Sequence, residues 1–492
     1  MKFLPNKIIS YQLYIFQLEE YEVKRFWKAI LRKGLIQPSS LRKKVTWTQK
    51  AKLMVLISTL LQIFFSFALS FIITSVLNLE IHFSLIIFLL FLYLFILFSF
   101  VFLSQARDLL LPLENYKKRK LINKAKNKLD LLKKNNPKLI TIGITGSYGK
   151  TTMKEVLNEI LKTKFRIVST FENQNTPIGI ARKILSDVNE RTEVFIVEMG
   201  EYVKGDVNKI CEITPPDISI ITGINEAHLE RYLTMENAID TKFEIVENTV
   251  PNGLVLLNAD DELVLKNYKR FNKDRNIQWF SSKSNALSRY KVDESELDIK
   301  NLGLNFTIKD DELDRNLIFK TKFLAEYVIG NVIAGLIIGR ELGMNDNEIK
   351  SGVSRIKPVE HRLEPSMLSE DIILIDDTYN GNSDGIREGI NLLKKFKNKR
   401  KVYITPGLVE TGSLAEEIHL EIGRQLAEVA DLVVLIRNSV SQFIEEGLLE
   451  SSFDKDKILW FNNGKEAYSS LKKFVKKGDV VMMQNDWSDN YY

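Results

Sequence analysis

Hydrophobic and polar positions set three different rhythms along the chain. Between Leu53 and Ala106 the acidic, basic and histidine residues are Glu80 and His82 alone. Two apolar runs, 54–77 and 81–103, are separated only by a short polar joint around Asn78 and Glu80. Each run is long enough to cross a hydrocarbon core of about 30 Å. Phe, Leu and Ile cover every face of both, which argues against a buried hairpin of a soluble protein. The start is too late for a signal peptide, and no small-residue cleavage site follows. From residue 138 onward the rhythm changes to apolar runs of strand length alternating with helical periods, which predicts an α/β region with mostly parallel sheet. Strands are expected at 139–144, 166–169, 193–199, 217–222 and 253–257, with shorter β pieces from 276 to 323 and a helix over 325–342. A second α/β unit is expected with strands at 372–376, 401–405, 432–436, 458–461 and 479–484.

Charge gives the apolar pair an orientation. Arg42, Lys43, Lys44, Lys50 and Lys52 precede it, and Arg107, Lys117, Lys118, Arg119 and Lys120 follow. The positive-inside rule then places both ends in the cytoplasm and the joint, with His82, outside. Residues 1–50 are basic and aromatic, with Tyr11, Tyr14, Phe16, Tyr21, Phe26 and Trp27, and are read as an amphipathic segment at the membrane surface. Residues 117–138 carry ten Lys or Arg against one acid, Asp130, with Leu121, Ile122, Ala125, Leu129 and Leu132 at helical spacing. A solvated linker helix and a helix held against anionic lipid both fit that pattern. The expected organisation is a basic cytoplasmic arm (1–52), a transmembrane hairpin (53–105), a basic linker helix (106–137), a first α/β unit (138–355) and a C-terminal α/β unit (356–492), at the cell membrane with both α/β units cytoplasmic. A net charge of +6 over 492 residues does not indicate nucleic acid. The single cysteine, Cys211, excludes an internal disulfide framework and is read as a core filler.

Candidate chemistry begins at TIGITGSYGKTT, residues 141–152. A strand, a glycine loop and a helix start follow one another there, so backbone N–H groups and the positive helix end face an anion. Gly146 and Gly149 let the backbone approach phosphates; Lys150 reaches the β- and γ-phosphates, and the Thr151 hydroxyl suits magnesium. Ser147 and Thr152 complete the loop. The strict G-x-x-x-x-G-K-T spacing is not met, because Ile144 stands where the first glycine belongs. Glu198 and Gly200 end the strand FIVEMG, and His228 follows the end of DISIITGI, both places where open α/β sheets hold ligands. A carboxylate, an imidazole and a threonine hydroxyl around one triphosphate can hold a hard cation.

The ordered set GITGSYGKTT, FENQNTPIG, EMG, NEAHLERY, TKFEI, LNADDE, HRLEP and DDTYNGNSD resembles the Mur ligases, most closely the UDP-N-acetylmuramoyl-tripeptide–D-alanyl-D-alanine ligase branch in a membrane-anchored form. The resemblance covers about 138 to 492. It implies a P-loop parallel-sheet central domain and a Rossmann-like C-terminal domain. It also implies an ATP- and Mg2+-dependent amide-bond ligase of peptidoglycan precursor synthesis, acting through an acyl phosphate. By motif position, Thr151 and Glu198 would ligate one magnesium and His228 the second. Lys242 would be carbamylated and support the second metal, and Arg362 would reach the γ-phosphate from the C-terminal side. Asn331 would contact the base, Asp377, Tyr379 and Asn380 the nucleotide, and Asn173, Asn175 and Thr176 the substrate. Glu410 and His419 match less closely and suit capping or core roles equally. Gly381, Ser383 and His361 depart from the branch's residues, and the arm and hairpin stand where the branch has its domain for the uridine diphosphate sugar.

The implied partners are a muramoyl-peptide or lipid-linked acceptor, an amine donor and membrane lipid. A membrane-bound poly-γ-glutamate-type ligase is the alternative acceptor chemistry. A catalytically inactive nucleotide-binding scaffold would need none of Lys150, Glu198, His228, Lys242 and Arg362 together. A transporter is disfavoured by two runs with no charge inside either.

Overall fold

A computed structural model describes residues 4–36, 45–171, 174–201, 203–226, 229–271, 275–369, 371–378, 383–408 and 414–484. The chain forms two compact units, Met1–Lys120 and Leu121–Tyr492.

In the first unit the apolar pattern folds as helix Gln49–Val76, a turn, and helix Ile81–Leu97. The two run antiparallel along a narrow polar seam. Gln62 Nε2 donates to Ser99 Oγ at 3.1 Å, and Ser70 Oγ to the Ser84 carbonyl at 2.5 Å. Small hydroxyls bring helix backbones close and keep their polar atoms off the outer face. That outer face stays apolar and exposed, with Phe64, Phe67, Phe71, Leu85 and Leu90. The second run is not the single helix expected over 81–103. It breaks at Phe98 and continues as helix Ser99–Asn135 at an angle of 76°. Gln49–Val76 is therefore the one described helix long and apolar enough by itself to cross a membrane, and the bent pair makes a second span only if taken together.

The break has a local cause. Phe100, Leu103, Ala106 and Leu110 pack with Tyr11, Phe16, Phe26, Ile30, Ala51 and Met54 in one buried cluster. The arm helices Leu4–Leu18 and Val23–Lys33 thus draw the later apolar residues sideways. Carbonyls freed at the bend are satisfied by the Gln12 side-chain amide, 2.8 Å from the Leu97 oxygen, and by Ser99 Oγ, 2.6 Å from that of Ile96.

The described residues of the second unit form three sheets. Strands β1 (Ile140–Thr145), β2 (Ile167–Ser169), β3 (Val194–Glu198), β4 (Ile218–Ile221), β5 (Leu254–Asn258) and β6 (Asn276–Phe280) form a parallel sheet in the order β2-β3-β1-β4-β5-β6. Alternate residues feed two cores, one on each face. Val194 and Ile196 join the core with helices Lys150–Leu161 and Tyr327–Glu341, while Phe195 and Val197 join the core with helices Pro177–Ser186 and Met235–Glu247. Both faces being covered explains the near-continuous apolar runs. Ala125, Leu129 and Leu132 of the basic helix belong to the second core. Lys128 Nζ donates to the carbonyls of Ile184 and Leu185, and Lys133 pairs with Asp217 at 2.6 Å. This part of the helix is a packed element of the unit rather than a solvated linker.

Strands β7 (Tyr290–Asp298), β8 (Gly303–Asp310) and β9 (Arg315–Thr321) form an antiparallel meander. Strands β10 (Glu364–Ser369), β11 (Ile372–Asp377), β12 (Lys401–Thr405), β13 (Leu432–Ile436), β14 (Ile458–Phe461) and β15 (Val480–Gln484) form the third sheet in the order β10-β11-β15-β12-β13-β14. Only β10 is antiparallel there, and sequence pattern did not reveal it. Its sequence EPSMLS has no period-2 alternation and the strand lies at an edge.

Candidate active site

The strand order reverses beside β1, which lies between β3 and β4. Ligands of open α/β sheets bind at the carboxyl ends around such a point. Residues 146–149 leave β1 there and turn into helix Lys150–Leu161. Gly146 has φ +144°, and a Cβ on it would lie 2.2 Å from Thr222 Oγ1. Gly149 has φ +74° at the helix N-cap. Loop shape is held by Ser147 N–H donating to the Gly223 carbonyl at 2.8 Å and by Tyr148 Oη donating to Asp261 Oδ2 at 2.8 Å. A Cβ on Gly223 would strike the Tyr148 ring at 2.1 Å.

Lys150 folds back onto the Gly146 carbonyl, and its Nζ lies 3.6 Å from Glu201 Oε1. Thr151 Oγ1 is 3.2 Å from each oxygen of Glu198, and both residues are buried. The two expected first-magnesium ligands are thus brought together. Thr152 is buried, and its hydroxyl lowers the Tyr327 pKa against the rise that burial causes.

Lys242, on helix Met235–Glu247, is 1% exposed. Its Nζ lies 3.2 Å from Tyr232 Oη and 3.5 Å from Glu201 Oε1. Burial pulls its pKa down to about 8, against the opposing pull of Glu201. An amine so placed spends part of its time neutral at physiological pH.

Three groups in this cluster were not anticipated. Glu201 joins Lys150 to Lys242, and its Oε2 is buried with no hydrogen-bond partner. Lys154, 1% exposed, places Nζ 3.2 Å from Glu198 Oε2. Asp261 of the LNADDE motif anchors the loop tyrosine and also accepts Ile224 N–H at 2.8 Å. One helical turn between Thr151 and Lys154, and the three-residue step from Glu198 to Glu201, were the available sequence signals.

Asn175 packs against Gly200, where a Cβ would meet its amide carbon at 2.7 Å; Gly200 N–H donates to the Asn175 carbonyl at 2.8 Å. The substrate-facing expectation for Asn175 therefore falls beside Glu201. Thr176 caps helix Pro177–Ser186 through its hydroxyl, 3.2 Å from Gly179 N. Asn331 is buried in helix Tyr327–Glu341 with its Nδ2 unpartnered. Asn173, His228, Tyr379, Asn380 and Glu410 lie outside the described residues.

The C-terminal sheet approaches from the far side. Asp377 ends β11 and accepts Leu363 N–H at 3.2 Å; burial pushes its pKa up to about 6, opposed by Leu363 N–H and Arg362. The Arg362 charge acts on both Asp377 and Tyr327, and Tyr327 bonds Thr152 of the loop helix. Asn225 Nδ2 donates to Asp384 Oδ2 at 2.8 Å and Ser383 bonds Glu226, so the end of β4 is tied to helix Ser383–Lys394. His361 takes φ +60° and pairs with Asp376 at 2.8 Å, which raises its pKa. His419 is fully buried, its Nε2 accepting Leu408 N–H at 2.8 Å, and serves the core.

Two family models match: the Mur ligase middle domain over residues 144–339, and the Mur ligase glutamate ligase domain over residues 361–484. The UDP-N-acetylmuramoyl-tripeptide–D-alanyl-D-alanine ligase of Bacillus subtilis is 27% identical over 344 residues, covering 70% of this chain and 72% of that one. The Buchnera aphidicola ligase of the same name, from the pea aphid strain, is 28% identical over 349 residues, with 70% and 72% covered. Among solved structures, the Thermotoga maritima MurF ligase in complex with ADP superposes with a TM-score of 0.65 at 26% identity, covering 75% of this chain and 80% of that one. MurF from Acinetobacter baumannii gives a TM-score of 0.65 at 22% identity, with 75% and 77% covered.

Proposed function

The chain belongs to the Mur ligase family, and on that basis we propose that it is an ATP-dependent carbon–nitrogen ligase of MurF type, adding D-alanyl-D-alanine to a muramoyl tripeptide in peptidoglycan precursor synthesis. The observation that carries this reading is the convergence of the half-buried Lys150 with the buried Thr151, Glu198 and Lys242, the two lysines meeting on Glu201, near the carboxyl ends of the strands around β1. A triphosphate and a substrate carboxylate repel each other, so their reaction needs positive charge fixed in place beforehand.

Lys150, freed from the Gly146 carbonyl, neutralises the β- and γ-phosphates within the loop. Carboxylate attack on the γ-phosphorus forms an acyl phosphate and releases ADP. The incoming amine then attacks the acyl carbon, and phosphate leaves from the tetrahedral adduct. Thr151 and Glu198 offer hard oxygen donors at contact distance and fit Mg2+, with His228 and Lys242 for a second ion. Bound magnesium supplies charge neutralisation and alignment of the phosphates.

Lys242 takes up carbon dioxide in this reading: the neutral amine attacks the carbon, a C–N bond forms, one C=O pair moves onto oxygen, and the N–H proton leaves to water. The carboxylate-like product reverses a charge that would repel a dication. The depressed lysine pKa and its burial support that step. Arg362 completes the γ-phosphate site from the C-terminal half, with Asn331, Asp377, Tyr379 and Asn380 on the nucleotide and Asn173, Asn175 and Thr176 toward the acceptor.

The first unit we read as a membrane anchor, a helical hairpin with both ends cytoplasmic. Its support is the exposed apolar face of Gln49–Val76, the lack of buried side chains on Ile81–Leu97, and basic residues at both outer flanks. Purified full-length protein in detergent should release phosphate from ATP only when both a UDP-muramoyl tripeptide and D-alanyl-D-alanine are supplied. Release without an acceptor, or with neither muramoyl tripeptide nor dipeptide effective, would overturn the assignment.

A further inference from the structure

We propose that Glu201 is a metal ligand, its carboxylate binding the second divalent cation of the active site together with the carbamate on Lys242. The inference rests on the ligase reading above and adds a donor that the motif matches do not supply. Glu201 is 4% exposed. Its Oε1 is shared by two ammonium groups, Lys150 Nζ at 3.6 Å and Lys242 Nζ at 3.5 Å. Its Oε2 is buried and has no hydrogen-bond partner among the described residues.

In the loaded, carbamylated site both cationic partners are withdrawn from Glu201. Lys150 turns to the phosphates, and Lys242 becomes an anion. Glu201 would then be a buried carboxylate without a counter-charge and beside a like charge, an arrangement proteins avoid unless a metal or another cation intervenes. A hard dication between the two carboxylate groups removes both penalties, and oxygen donors are what Mg2+ prefers. The loop geometry suits this role. Glu201 follows Glu198 by three residues on the segment leaving β3, and Gly200 between them is pinned by the Asn175 carbonyl at 2.8 Å. One short segment thereby delivers a carboxylate to each cation.

Mn2+ binding read by electron paramagnetic resonance tests this on the full chain, with the non-hydrolysable analogue AMPPCP and bicarbonate present. The unaltered protein should bind two Mn2+. Glu201→Gln keeps the size and removes the charge; it should weaken the second Mn2+ by ~10-fold or more while leaving the first in place. Glu201→Asp keeps the charge on a shorter arm and should lose less, which separates ligation from a folding defect. Two Mn2+ bound by Glu201→Gln with unaltered affinity would overturn the proposal. So would a Gln variant whose only change is weaker AMPPCP binding in EDTA, since that marks a mere tether for Lys150. Glu198→Gln is the reference: if it too leaves Mn2+ binding unchanged, the ligase reading itself fails.

Discussion

Lys242 shows how one buried side chain can carry a site's electrostatics. An ammonium next to Tyr232 and Glu201 is satisfied when the site is empty, but it would oppose a second dication. With burial holding its pKa at about 8, the neutral amine that the proposed carbon dioxide uptake needs increases as pH rises through that value. Lys242→Ala should nearly abolish ligation while leaving the fold intact, because the cavity created lies at the site and not in the apolar cores. Acetate or another short carboxylic acid should partly restore turnover by filling the vacated space. A Lys242→Ala protein with normal turnover, or a mass measurement showing a bare amine in active protein, would refute the modification. Glu201 has the opposite logic. Its three-residue step from Glu198 is a weak signal by itself, and the residue stands out only once the fold places two lysines on one of its oxygens.

Elements were legible where one physical pattern dominated. The strands β1, β3, β4 and β5 are apolar on both faces because helices cover both, so their runs stood out, and the glycine loop followed β1 with its signature nearly complete. The edge strand β10 was invisible because it is half-exposed and without alternation. The break at Phe98 was missed for another reason: apolar composition cannot distinguish side chains facing lipid from side chains packed on Phe16 and Phe26. The turn at Asn78 still separates two apolar helices, and the polar seam of Gln62, Ser70, Ser84 and Ser99 faces inward. A cysteine replacing Asn78 should react with an impermeant thiol reagent on intact cells, while Cys211, buried in the second unit, should not. Labelling of neither position in intact cells, with labelling at 78 after lysis, would show that the turn stays on the inner side.

Within the second unit, the two α/β halves meet where chemistry needs them. Asn225 and Glu226 follow the strand beside the glycine loop, and they bond Asp384 and Ser383 of the C-terminal half. Between the halves, His361 and Leu363 both hold positive φ, +60° and +44°, on either side of Arg362. Left-handed conformations are costly for residues with a Cβ and persist where surrounding bonds enforce them. Here the His361–Asp376 pair and the bond from Leu363 N–H to Asp377 do so. The arginine thereby stands on the C-terminal half, and its charge acts on Asp377 and on Tyr327. In the proposed reading a group so mounted acts when the halves close on ATP, while the loop N–H groups and Lys150 account for initial nucleotide capture. Arg362→Ala should therefore lower turnover by ~100-fold or more, the scale seen when one donor to a transition-state charge is removed. Nucleotide affinity, measured by calorimetry with AMPPCP, should change far less. Equal losses in both quantities would place Arg362 on the ground-state nucleotide, and no loss in either would remove it from the site. A large fall in turnover at nearly constant affinity is the outcome expected if the two halves close on ATP.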